Sequence, residues 1–269
     1  MNNLKHYLRY FFIAMGGFFY RFLGIKKDKI IALHEVSDQT IFEEKMRWLC
    51  HHYTVVSLET LLFKKNASLS QRVAITFDDG YENWLYNALP VLEKLKIPAV
   101  LFVNSGLIGL SAGEADYFVK NRLRRRQSLT LLSTEALLTL ANHPLIEIGG
   151  HGQDHLDMAS LHSEAQITQQ IVADKEKLEK LIGQPLRWFA YPFGGAVHFT
   201  SLVIKVVQKA GYLAAFTIIP DSLSIERSPF AVGRTCLELT TTEKSWQNCL
   251  AGGCDFLTKL TTFFTVIKK

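Results

Sequence analysis

Short runs rich in branched and aromatic residues alternate with longer helical patterns through most of this chain. The strand candidates are Lys29–Leu33, Tyr53–Val56, Arg72–Thr76, Ala99–Val103, Ile146–Ile148, Arg187–Ala190 and Ala214–Thr217. Between them lie helical candidates around Phe42–His51, Leu58–Phe63, Asn83–Leu95, Thr134–Ala141, Ser163–Ile182 and Leu202–Ala210. This alternation predicts an α/β fold of parallel strands joined by crossover helices. In such folds chemistry gathers on one rim, at the C-terminal ends of the strands. His34 closes the first strand candidate, Asp78 and Asp79 follow the third, His151 follows another, and Tyr191 closes a further one. Four separate segments therefore deliver polar residues to one place.

The chain has 269 residues, 48% of them hydrophobic and 20% charged, which suits a folded body with a sizeable core. No repeat or Gly/Ser linker divides it. The expected organisation is a central body over 27–240, an amphipathic or apolar membrane-associating segment over 1–26, and an amphipathic tail over 241–269. The net charge of +5 is modest. Its basic run, Arg122, Arg124, Arg125 and Arg126, reads as a solvated loop or as a phosphate contact. No nucleic-acid motif accompanies it, so nucleic acid is not expected as a partner. Nor does a Gly-rich phosphate loop follow any strand, so no nucleotide cofactor is expected. Cys50, Cys236, Cys249 and Cys254 form no C-x-x-C pair, although a Cys249–Cys254 bridge stays open.

The ends resemble each other. Between Arg9 and Arg21 the chain is uncharged and mostly apolar, but it falls short of the ~20 residues that span a bilayer. Helical spacing collects Leu4, Leu8, Phe11, Phe12, Met15, Phe19 and Phe22 on one face, bordered by Lys5 and Arg9 and followed by Lys26, Lys27 and Lys29. In the tail, Phe256, Leu257, Leu260, Phe263, Phe264 and Ile267 keep the same periodicity, with Lys259, Lys268 and Lys269 alongside. Two such segments predict a peripheral protein that meets a membrane surface through both termini, on the cytoplasmic face. An uncleaved signal anchor, with the body outside the cytoplasm, is the competing reading. A helix packed on the protein's own body is the third.

The chemistry lies in Thr76-Phe77-Asp78-Asp79-Gly80 and His151-Gly152-Gln153-Asp154-His155. Asp79, His151 and His155 make a His₂-carboxylate set suited to a divalent cation. Zinc is the leading expectation, and other first-row ions are compatible. Such an ion acidifies water and polarises a carbonyl, and Asp78, adjacent but off the metal, would act as general base. Metal-assisted hydrolysis is the expected reaction class.

Thr76–Gly80 resembles the first motif of the polysaccharide deacetylase family, also called the NodB-homology or carbohydrate esterase family 4 domain. His151–His155 is similar to its second motif, H-[ST]-x-x-H, and Phe189-Ala190-Tyr191-Pro192-Phe193-Gly194 to its third, in the Y-P-x-G form. The similarity runs from about Lys29 to Leu239. It implies a distorted (β/α)₇ barrel that removes N- or O-acetyl groups from sugars with a divalent metal. Position by position, it implies Asp78 as base, Asp79, His151 and His155 as ligands, and the backbone N–H of Tyr191 as an oxyanion donor.

The chain departs from that pattern in three places. Gly152 replaces the usual Ser/Thr, which removes a hydrogen bond behind the ligands. Leu156 stands where Pro often follows the second histidine. No histidine occurs after His198, so the late leucine-histidine motif that supplies the general acid is missing. Ile31-Ala32-Leu33-His34-Glu35 resembles that motif moved to the start of the chain, as in the poly-N-acetylglucosamine deacetylase branch, and makes His34 the candidate acid. Either Arg187 or Arg234 is placed to pair with Asp78; His198 reads as a surface-loop residue, with a place lining the site as the alternative.

The expected protein is a metal-dependent deacetylase of an N-acylated aminosugar in a polysaccharide or lipid-linked saccharide. An O-acetyl esterase using the same site and a non-catalytic glycan-binding member of the fold are the alternatives.

Overall fold

The computed structural model describes residues 2–25, 27–65, 70–123, 129–220 and 228–267, with side chains described from Tyr7 to Leu260 within those ranges. Lys26, Arg124, Arg125, Arg126, Lys268 and Lys269 lie outside the described residues, as do the side chains of Leu4, Lys5, Phe263, Phe264 and Ile267. The strands are β1 (Lys29–Leu33), β2 (Thr54–Val55), β3 (Arg72–Phe77), β4 (Ala99–Val103), β5 (Ile146–Gly150), β6 (Trp188–Ala190), β7 (Ala214–Thr217), β8 (Val232–Gly233) and β9 (Thr235–Cys236). They pair in the order β8-β7-β6-β5-β4-β3-β1-β9, with β2 beside the start of β3, and every pairing is parallel.

The two ends of that order are halves of one segment. β8 pairs with β7 (Phe216↔Val232), β9 pairs with β1 (Ala32↔Cys236), and only Arg234 separates them. The segment Val232–Cys236 thus bridges the sheet's two ends and nearly closes the barrel. With that segment counted once and β2 set aside, the staves are β1, β3, β4, β5, β6, β7 and the closing segment, a (β/α)₇-type barrel.

The helices are α1 (Asn2–Phe22), α2 (Gln39–His52), α3 (Leu58–Phe63), α4 (Leu89–Leu95), α5 (Ala112–Asn121), α6 (Thr134–Ala141), α7 (Glu164–Ile182), α8 (Ser201–Lys209), α9 (Glu243–Asn248) and α10 (Cys254–Ile267). Local chemistry sets their starts: the side chains of Asp38, Ser57, Ser133, Ser163 and Thr200 each accept from a backbone N–H in the first turn. The candidate over 83–95 is a π turn (Trp84–Ala88) running into α4. α5 was not anticipated, although Ser111 and Glu114 form the capping box that marks its start.

Strand alternation divides the core. Ile30, Ala74, Val100, Phe102, Trp188, Ala190, Ala214, Phe216 and Val232 form one cluster that fills the barrel. Their neighbours Ile31, Val73, Leu101, Phe189 and Ala215 belong to the larger cluster beneath the helices. The same period of two carries inward parity from Ala74 to Asp78, from Ile30 to His34, and from Val232 to Arg234, Cys236 and Glu238.

The two termini pack on each other. Ile13, Gly16, Gly17 and Tyr20 form the buried face of α1. Gly16 leaves no room for a Cβ, which would lie 2.5 Å from that of Phe256 in α10, and at Gly17 one would meet the Asn248 carbonyl at 2.8 Å. Arg21 donates to Asn248 Oδ1 at 3.0 Å, and a buried Lys29–Asp255 ion pair at 2.6 Å ties β1 to α10. The face expected from periodicity points away from this contact: Phe11, Phe19 and Phe22 are 61%, 50% and 76% exposed, Leu8 and Met15 are also exposed, Phe12 is half-buried, and Phe18, outside that face, is exposed as well. Among the described residues no helix is long and apolar enough to cross a membrane.

Candidate metal centre and active-site pocket

Asp78 and Asp79 leave β3 at the barrel mouth. Asp79 adopts a φ of +84°, an uncommon conformation for a non-glycine residue that turns successive carboxylates to different tasks. Its Oδ1 lies 3.5 Å from His151 Nε2 and 3.3 Å from His155 Nε2, and the three donor atoms lie within 4.8 Å of one another. All three residues are buried.

The imidazoles are set for a cation. His151 Nδ1 sits 2.7 Å from the Ala190 carbonyl, an oxygen that only accepts, so Nδ1 carries a proton and Nε2 is the ring atom turned toward Asp79. His155 Nδ1 is buried without a hydrogen-bond partner among the described residues, and its ring packs edge-on to Phe193. Tyr81 donates to Asp79 Oδ2 at 3.1 Å, leaving Oδ1 to the imidazole side. Burial disfavours the Asp79 charge, but the hydrogen bonds from His151 and His155 outweigh it and hold the carboxyl well below the usual range. This donor set fits a divalent ion.

Asp78 has a different partner. Arg234 Nη1 and Nη2 donate to Asp78 Oδ1 and Oδ2, each at 2.7 Å, while Nη1 also reaches Thr76 Oγ1 and Nε reaches the Thr217 carbonyl. Burial pushes against the Asp78 charge, and the Arg234 guanidinium prevails, lowering the carboxyl below its ordinary value. Arg187 pairs instead with Glu147 and Glu59. The question left between the two arginines is thereby settled for Arg234.

His34, Asp78, Asp79, His151, His155 and Tyr191 line one cavity of about 200 Å³, with Leu123, Phe193 and Ile218 completing its wall. The candidate acid, base, metal ligands and Tyr191 are therefore brought to one cavity. Burial opposes charge on the His34 ring, but the adjacent Cys236 and the carboxylates of Asp79 and Asp78 push its pKa up to about 10; its Nδ1 is buried without a hydrogen-bond partner among the described residues. His198 does not line the cavity. It pairs with Asp157 at 2.8 Å, and its ring packs against that of Phe193.

One expected role is corrected. The Tyr191 N–H donates to the Phe216 carbonyl at 3.0 Å, because it continues the β6–β7 ladder, so it is not available to an oxyanion. The Tyr191 hydroxyl donates to the Phe230 carbonyl, which leaves the ring as cavity wall. Two residues on, Phe193 takes φ +61° and its N–H has no hydrogen-bond partner among the described residues.

The departure at Gly152 also has a physical cause. The residue has φ +77°, and a Cβ there would lie 2.6 Å from Met158 Cε. Its N–H is held by buried Asp174, whose other oxygen accepts from the Ser105 N–H at 2.8 Å. Burial pushes the Asp174 carboxyl up to about 6. Tyr81, Asp174 and Phe193 were not anticipated. Tyr81 falls beside the first motif, Phe193 falls inside the third, and Asp174 carries no signal in a long helix of mixed polarity.

The fold is a nearly closed parallel barrel of the (β/α)₇ type, with an Asp-His-His cluster beside an arginine-held aspartate at its mouth. The polysaccharide deacetylase family model matches residues 65–215, and the chain belongs to that family. It is 29% identical to YxkH of Bacillus subtilis (strain 168) over 198 residues, covering 72% of this chain and 62% of that protein. It is 27% identical to the poly-beta-1,6-N-acetyl-D-glucosamine N-deacetylase of Staphylococcus aureus (strain N315) over 224 residues, covering 82% of this chain and 72% of that one. Among solved structures, IcaB from Ammonifex degensii aligns with a TM-score of 0.65 at 22% identity, covering 85% of this chain and 98% of that one. The Streptococcus pyogenes deacetylase PplD aligns with a TM-score of 0.65 at 17% identity, covering 82% and 96%. At these identities the structural likeness is one of fold.

Proposed function

We propose that the protein is a metal-dependent hydrolase that removes an N-acetyl or other N-acyl group from an aminosugar in a polysaccharide or lipid-linked saccharide. The observation that carries this is the separation of duties at the barrel mouth. Asp79 is shared between two imidazoles while Asp78, its neighbour, is held by Arg234. Two adjacent carboxylates with different partners divide ligation from proton transfer.

In this reading Asp79, His151 and His155 hold a divalent ion, zinc being the first choice for the donor set, which supplies Lewis acidity toward water and the acyl carbonyl. Asp78, kept ionised by Arg234, removes the proton from the attacking water. The N–H of Phe193, rather than that of Tyr191, faces the developing oxyanion. His34 gives its proton to the departing sugar nitrogen. Leu123, Tyr191, Phe193 and Ile218 supply an apolar wall around a small acyl group.

The same proposal places the protein peripherally on a membrane, with the outward aromatic face of α1 in the headgroup region of the anionic cytoplasmic leaflet. The exposure of Phe11, Phe18 and Phe22, with Arg9 beside them, supports this. Protease accessibility of the body in intact cells separates this from an anchor with the body outside.

The decisive experiment is acetate and formate release from N-acylated aminosugar oligomers by zinc-loaded wild type and Asp78→Asn. Release by wild type, with loss of about 10²–10⁴-fold in a variant that still holds its metal, is expected. Equal rates in the two proteins would end the hydrolase reading.

A further inference from the structure

The geometry points to a second cation site beside the first, formed by His34, Cys236 and Glu238, that takes a soft divalent ion and switches hydrolysis off. Their donor atoms, one nitrogen, one sulfur and one carboxylate oxygen, lie within 4.8 Å of one another.

The barrel's closure places them together. Ala32 pairs with Cys236, and the Leu237 N–H donates to the Ala32 carbonyl at 3.0 Å, so this last registered pair of β1 and the closing segment sits just below the barrel mouth. His34 lies two residues beyond Ala32, and Glu238 two beyond Cys236, so period two gives all three the same inward parity. Each residue is half-buried. Cys236 is a free thiol. The His34 Nδ1 is buried without a hydrogen-bond partner among the described residues, an unsatisfied polar atom on the ring that belongs to the cluster.

The donor types select the ion. Mixed N, S and O ligation with bonds of ~2.0–2.3 Å suits zinc, and a thiolate disfavours magnesium or calcium. On binding, the Cys236 thiol gives its proton to solvent. The thiolate and the Glu238 carboxylate then offset the two positive charges of the ion. This set differs from the Asp79-His151-His155 set in containing sulfur, so the two sites have different spectroscopic signatures.

Its effect on turnover rests on the reading of His34 as general acid. A ring whose lone pair is held by a cation would be kept from the imidazolium form, and its remaining N–H could pass to the leaving nitrogen only by leaving an imidazolate, so it would no longer serve as the acid. One metal equivalent therefore activates the enzyme and a second silences it, so that hydrolysis follows free zinc with a maximum.

The test begins with His151→Ala/His155→Ala protein, in which the first site is removed, titrated with Co²⁺. One cobalt per chain with thiolate-to-cobalt charge-transfer absorption is expected, and adding Cys236→Ser should abolish the band. Glu238→Gln should weaken binding without abolishing it, and this variant serves if Cys236→Ser fails to fold. Absence of the charge-transfer band in the starting protein would overturn the site. Zinc beyond one equivalent is then added to otherwise wild-type enzyme, where turnover should fall about 10²-fold or more, and Cys236→Ser should resist this loss. A second zinc that binds without inhibiting would overturn the switch and remove His34 from proton transfer, while leaving the Asp78 chemistry standing.

Discussion

Arg234 holds both oxygens of Asp78, at 2.7 Å on each arm, from the middle of the segment that closes the barrel. The guanidinium also lies over the Phe102 ring at 5.1 Å and is fully buried, so nothing from solvent replaces it. Arg234→Met should destabilise the protein by about 3–5 kcal/mol, because it leaves a buried carboxylate unpaired. It should also abolish turnover, since an unpaired buried Asp78 protonates. Asp78→Asn/Arg234→Met should recover part of the stability and none of the activity. Urea midpoints and acyl-release rates on the three proteins check this.

Gly152→Ser would restore the residue usual in the family, yet it should destabilise this chain. The backbone there has φ +77°, and the new Cβ meets Met158 Cε. A cost of about 1–3 kcal/mol is expected. Adding Met158→Ala should relieve the clash but not the backbone strain, so a partial recovery of melting temperature is the predicted result.

Asp174 uses one oxygen for the Gly152 N–H and the other for the Ser105 N–H. Asn in its place satisfies only one of them. Asp174→Asn should therefore loosen the loop carrying His151 and lower metal affinity about 10–100-fold, as changes behind metal ligands do. Competition against a chelating dye measures this directly. Unchanged affinity would show that the carboxylate braces only the fold.

Phe11→Ser/Phe18→Ser/Phe22→Ser leaves the packed face of α1 intact, because Ile13, Gly16, Gly17 and Tyr20 make the contact with the C-terminal helices. Sedimentation with vesicles containing anionic lipid should fall more than about tenfold, given roughly 1.5–3 kcal/mol per apolar side chain buried. The melting temperature should hold. A fall in melting temperature with unchanged sedimentation would mean that the aromatic face covers protein instead.

Breaking the buried Lys29–Asp255 pair with Lys29→Met should cost about 3–5 kcal/mol and free α10 from β1. Hydrogen exchange in α10 should rise before that of β3–β5.

The barrel and its rim were legible because period-two strands, amphipathic helices and strand-end polar residues are local signals. Asp79, His151 and His155 meet where alternation places them. Partner choice was less legible. Arg187 and Arg234 look alike in sequence, and only the register of the closing segment carries Arg234 across to Asp78. Tyr191 misled for a similar reason, since whether an N–H is free depends on how far a ladder extends. The periodicity of α1 gave its aromatic stripe but not which face packs, because the contact uses glycines, whose value lies in how closely another helix approaches. Asp174 was invisible, being a lone acid in a long polar helix.

The split closing strand has a temporal meaning. Every ligand of the proposed metal centre is translated by His155, whereas the counter-charge for Asp78 arrives only with Arg234. A chain emerging from the ribosome can thus offer a cation its seat long before it owns an ionised base. The step that seats Arg234 is the same one that joins β7 to β1, so chemical competence and completion of the barrel become a single event, and a half-made enzyme stays silent.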